Sequence, residues 1–160
     1  MTHRSRRWRL ALLALVGGFG APAVAADIVL KNAWMQPAAA GAAKAGVYLD
    51  LRTDVSLKLV GATSPMAKSV AIVLVDRNPN GTLAERTVKE VDLPGGKELR
   101  FAFNGDRLEL RDIGENLTTG AFVPLTLHFV EGPNLRPTVE IGVLVRGVIP
   151  PPEGPAAKPN

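Results

Sequence analysis

The chain has 160 residues, 46% of them apolar, no cysteine, and 19 Lys+Arg against 15 Asp+Glu. That length and apolar content fit one domain with its own core, and the lack of cysteine excludes disulfides and a cysteine nucleophile. Four of the basic residues, Arg4, Arg6, Arg7 and Arg9, lie in the first 25 positions, so without that segment the formal charge of +4 falls to zero and nucleic acid is not an expected partner.

Residues 1–25 read as a cleaved secretory signal. The arginines precede an apolar run from Leu10 to Phe19, and the small residues Ala-Pro-Ala-Val-Ala-Ala at 21–26 offer a cleavage site. The run is shorter than the roughly 20 residues a spanning helix needs, so no stable membrane insertion is expected after cleavage. Ser5-Arg6-Arg7 resembles a twin-arginine export signal, but Arg9 stands where that signal has an apolar residue. The expected location is periplasmic or secreted, by either export route.

Residues 26–149 read as one all-β domain. Ile28 to Gln36 is rich in strand formers and is broken by Pro37 and the Ala/Gly run to Ala43. Val47, Leu49 and Leu51 then alternate with Tyr48, Asp50 and Arg52, and Leu57 to Ala62 resumes after a turn at Asp54. Thr63 to Ala67 predicts a turn or short helical corner. The continuous apolar run Val70 to Val75 predicts a strand buried on both faces or at an interface. Asn80-Gly81 predicts a tight hairpin, followed by a single strand from Leu83 to Leu93 that Pro94-Gly95-Gly96 closes.

From Phe101 to Phe129 two strand patterns flank a turn-rich middle. Arg107, Glu109 and Arg111 alternate with Leu108 and Leu110, which puts the charged set toward water or a site and the leucines toward a core. Leu125, Leu127 and Phe129 alternate with Thr126, His128 and Val130, and Asp112, Gly114, Asn116 and Gly120 supply the turns between. Thr138 to Val148 is a last strand, with Val139, Ile141, Val143 and Val145 on one face. Eight or nine short strands without helical period predict a Greek-key β-sandwich or barrel. The Pro-rich residues 150–160 hold no core-forming side chain and read as a disordered tail.

Asn32-Ala-Trp-Met, Ala45-Gly-Val-Tyr-Leu, Leu59-Val-Gly-Ala-Thr-Ser-Pro-Met-Ala, Leu93-Pro-Gly-Gly and Val123-Pro-Leu-Thr-Leu-His-Phe, in that order, resemble the periplasmic copper chaperone family PCu(A)C. The resemblance runs from about Ile28 to Val145. It implies a cupredoxin-like sandwich that holds one Cu(I) through a His, a Met and a His-x-Met pair and passes it to the copper centre of an assembling oxidase. Laid on this sequence, the four ligand positions fall on Val73, Glu85, Arg107 and Glu109. The spacing is kept and every ligand is replaced.

Cu(I) is selected by thioether and imidazole groups, whereas a carboxylate is a hard ligand, valine has no lone pair and arginine offers only donors. Beyond residue 25 the chain has one histidine, His128, and two methionines, Met35 and Met66, too few for a two-His, two-Met site. His128 reads as a strand residue facing solvent or a neighbouring strand, and the methionines as gap-filling core or edge residues; all three remain weak soft-metal contacts at most. Glu85, Arg107 and Glu109 read as a surface ion-pair cluster in place of the copper site. A hard-cation site and a partner-docking patch are the alternatives. Asn116-Leu-Thr matches a glycosylation sequon, and no His-assisted nucleophile or phosphate-binding glycine loop is present.

No metal or other cofactor is therefore expected, with Cu(I) implied by the resemblance alone, and the chain reads as a non-enzymatic binding or interaction module. The expected partner is a periplasmic protein, of the copper-handling or oxidase-assembly kind if the resemblance extends so far. Two other readings stand beside it: a working copper chaperone that uses a non-family site or a partner's ligands, and a structural accessory subunit without ligand.

Overall fold

The structure, a computed structural model, describes residues 26–147. The signal expected at 1–25 and the tail expected at 150–160 lie outside the described residues. Ten strands form: β1 (Ile28–Met35), β2 (Lys44–Thr53), β3 (Leu57–Thr63), β4 (Ala67–Arg77), β5 (Leu83–Val88), β6 (Val91–Leu93), β7 (Glu98–Phe101), β8 (Arg107–Ile113), β9 (Phe122–Val130) and β10 (Thr138–Val145). Among the described residues there is no helix.

Seven of the strands close a barrel in the order β4-β8-β2-β1-β10-β9-β3, returning to β4 through the single pair Ala62↔Val70. Every neighbouring pair is antiparallel except β1 and β10, the first and last strands, which run parallel. The other three strands hang on edges that the barrel leaves open. β7 shares the edge of β2 with β8, β5 lies along the outer half of β4, and β6 pairs with the start of β3.

Alternation fills the interior. Leu108, Leu110, Val47, Leu51, Leu127 and Val143 are fully buried in one cluster with Phe101, Phe129 and Met35. At about 1.5–3 kcal/mol for each large apolar side chain taken out of water, this cluster is the main favourable term for a domain with no disulfide.

Two local expectations change, and a third, the strand over residues 70–75 buried on both faces, holds at its centre. The strand expected over Leu83–Leu93 breaks at Lys89-Glu90, because its first part leans on β4 and its last on β3, and those two strands touch at only one pair. The hairpin before it is wider than a two-residue turn. Its last pair is Arg77↔Leu83, the Asn78 carbonyl accepts from the Gly81 amide at 2.9 Å, and Gly81 supplies a φ of 82°. In β4, Ile72 enters the core while Val73 is buried on the opposite side of the wall, outside the core cluster, so something covers the barrel there.

Candidate functional site

The cover is a cluster of charges. β8 lies between β4 and β2, which sets Val73 opposite Arg107, Ala71 and Gly46 on either side of Glu109, and Ser69 and Lys44 on either side of Arg111. β5 extends the same surface with Glu85 opposite Val75 and Thr87 opposite Val73. Directly opposed residues share a face, so these side chains stand together on the outer wall, turned away from Leu108 and Leu110. Val73, Glu85, Arg107 and Glu109, spread over 37 positions of sequence, are thus brought to one place by three strands.

Arg107 is the centre of the arrangement. Its Nη2 donates to Glu85 Oε2 at 2.8 Å and to Glu109 Oε2 at 3.2 Å. Glu109 also accepts from Arg111 Nε at 3.1 Å and has Lys44 Nζ at 3.8 Å, while Arg111 Nη2 donates to Thr87 Oγ1. The surface cluster expected from sequence is half submerged: Glu109 exposes 6% of its side chain and Arg107 12%, against 51% for Glu85. The hydrogen bond from Arg107 holds the Glu85 carboxyl below the usual glutamate range, and the same bond raises the Arg107 guanidinium further above its already high value.

An aromatic group borders the charges. Trp34 and Tyr48 are paired across β1 and β2 with ring centroids 4.6 Å apart, and Phe103 meets Tyr48 edge-on at 5.7 Å. The Tyr48 phenol folds back over Gly46, where any Cβ would collide with it. Burial pushes the Tyr48 phenol up; Arg107 opposes that shift and Glu109 adds to it. The segment after β1 crosses above, tied to β8 by Gly41 N donating to Ile113 O at 2.8 Å and Ile113 N donating to Ala42 O at 3.0 Å. Between this segment and the charges lies an open cavity of about 340 Å³, lined in part by Gln36, Lys44, Gly46, Arg107 and Glu109.

The weaker candidates lie apart. Met35 is fully buried in the core, and His128 stands on the other side of the barrel wall, its Nε2 3.0 Å from Thr63 Oγ1. Met66 is half-buried in the turn between β3 and β4, where its carbonyl accepts from the Gly114 amide. Asn116 of the sequon accepts from the Ala40 amide through its side chain. The donor set of Val73, Glu85, Arg107 and Glu109, the positions that the resemblance assigns to ligands, does not fit Cu(I): Val73 has no lone pair, and both carboxylates are engaged by a guanidinium. Lys44, Gly46 and Tyr48 complete the site without having been singled out by sequence, because nothing local states that β2 lies against β8.

The chain belongs to the LpqE-like family, described as "Putative lipoprotein LpqE-like", whose model matches residues 28–141. Its fold is that of solved PCuAC domains. The copper-bound PCuAC domain from PmoF2 matches with 21% identity and a TM-score of 0.61, over 76% of this chain and 93% of that one. The apo PCuAC domain from PmoF1 matches with 22% identity and a TM-score of 0.61, over 76% and 94%. Apo-DR1885 from Deinococcus radiodurans matches with 22% identity and a TM-score of 0.57, over 93% and 98%. No curated protein matches the chain.

Proposed function

We propose that this protein is an exported, non-enzymatic binding module on the PCu(A)C fold whose copper site has been replaced by an internal ion-pair cluster. The observation that supports this most is the Arg107 bridge. A guanidinium bonded to Glu85 and Glu109 joins two of the positions assigned to ligands by resemblance, and a fixed cation there repels a metal ion. The module acts by recognising a periplasmic partner or a small molecule, and it carries no metal in doing so.

Anaerobic titration of residues 26–160 with Cu(I) in the presence of a chromogenic Cu(I) chelator tests the reading. All copper should stay with the chelator. One-to-one transfer to the protein would overturn the proposal and turn attention to Met35, Met66 and His128.

A further inference from the structure

The charges that line the cavity do not balance. Lys44 and Arg107 stand against Glu109 alone, which leaves one positive charge in excess. Asp106, next along the chain, does not line the cavity; its carboxylate accepts from the Val75 amide at 2.8 Å. The hydrogen-bonding capacity is unbalanced in the same sense. Both oxygens of Glu109 are engaged, and one oxygen of Glu85 takes the Arg107 bond. Among the described residues, Arg107 Nε and Nη1 have no hydrogen-bond acceptor, and the Lys44 ammonium has only Glu109 Oε2 at 3.8 Å. What the charged residues of the cavity have left to offer is donors, on Lys44 and on the largely buried Arg107.

The geometry points to this cavity as a binding site for a small oxyanion, a carboxylate or a phosphate group, received by Lys44 and Arg107. A ligand that only accepts hydrogen bonds and carries negative charge complements both excesses at once, whereas a cation or an amine complements neither. The inference rests on the proposed function, as it gives the binding module a ligand class at the position of the replaced copper site.

Calorimetric titration of residues 26–160 with inorganic phosphate and, separately, with citrate at low ionic strength tests it, against sodium chloride as the control. At least one of the two anions should bind one-to-one. Lys44→Met should weaken that binding about tenfold, while Lys58→Met, which removes a lysine paired with Glu90 and Asp92, should leave it unchanged. Phosphate binding alone points to a phosphate ligand, and citrate binding alone to a carboxylate. Lys44 is exposed, so its replacement does not put folding at stake. No binding of either anion, or binding that Lys44→Met leaves intact or Lys58→Met weakens equally, would overturn the site. Parallel Cu(I) competition separates the two levels: copper uptake defeats the proposed function, whereas absence of both copper and anion binding defeats only this inference.

Discussion

A glutamate with so little of its side chain exposed stays on a β-strand because three cations reach it. Removing one partner from a buried pair costs more than the pair is worth against apolar replacements of similar size. Arg107→Met should therefore lower stability by about 3 kcal/mol in urea denaturation, and Arg107→Met with Glu109→Leu should recover most of that loss. A double variant no more stable than the single one would show that Glu109 does not depend on Arg107. Tyr48 gives a second, independent reading of the same spot, because it is the only tyrosine in the chain and its ultraviolet titration is unambiguous. Its ionisation should fall above the ordinary value of about 10, burial being the main cause. A raised folded-state value means stability is fully present below the unfolded pKa and is lost as pH rises through the folded one. Thermal melts should thus soften above about pH 10, and less so in Tyr48→Phe.

At the level of single elements, most strands announce themselves. The alternation in β8, β9 and β10 states which residues meet the core, and Leu108, Leu125 and Val143 do. Where a strand changes partner the pattern is silent: nothing in Lys89-Glu90 records that the chain leaves β4 for β3, since that switch is set by how distant strands diverge. The same limit hid Lys44 and Tyr48, whose role depends on a contact between β2 and β8 about 60 positions apart. The turn after β6 was legible for its glycines but not for what they touch. Gly96 adopts a φ of 77°, and its amide donates to Thr53 O at 2.7 Å. Gly95 packs so closely on the link between β2 and β3 that a Cβ would lie 2.7 Å from the Asp54 carbonyl oxygen. Because backbone cannot yield as a side chain can, Gly95→Ala should cost about 1–3 kcal/mol by chemical denaturation. A neutral result would mean that this turn is free to lift off the barrel.

For the molecule as a whole, the convergence of Val73, Glu85, Arg107 and Glu109 is a property of the sheet, not of any one segment. β4 holds Val73 directly opposite Arg107, Glu109 lies two residues further along the same face, and β5 brings Glu85 within reach of the Arg107 guanidinium. The spacing of these positions could be read from sequence, whereas their meeting follows from strand pairing that the sequence does not print. If the sheet fixes the positions and ligand softness selects the metal, then Val73→His, Glu85→Met, Arg107→His and Glu109→Met together should create a Cu(I) site on the unchanged domain. The change also removes the submerged carboxylate with its guanidinium, so no half of that pair is left buried alone. Val73 is the costly position. It is 3% exposed, and an imidazole without a partner there would cost about 1–3 kcal/mol, a serious part of a typical domain's stability. Circular dichroism of the quadruple variant should still show the β-sheet spectrum of the parent, and in anaerobic competition the variant should take Cu(I) from a chelator that the parent leaves loaded. A variant that folds yet competes no better than the parent would show that the four positions do not have ligand geometry, and the reading of the charge cluster as a replaced copper site would fall with it.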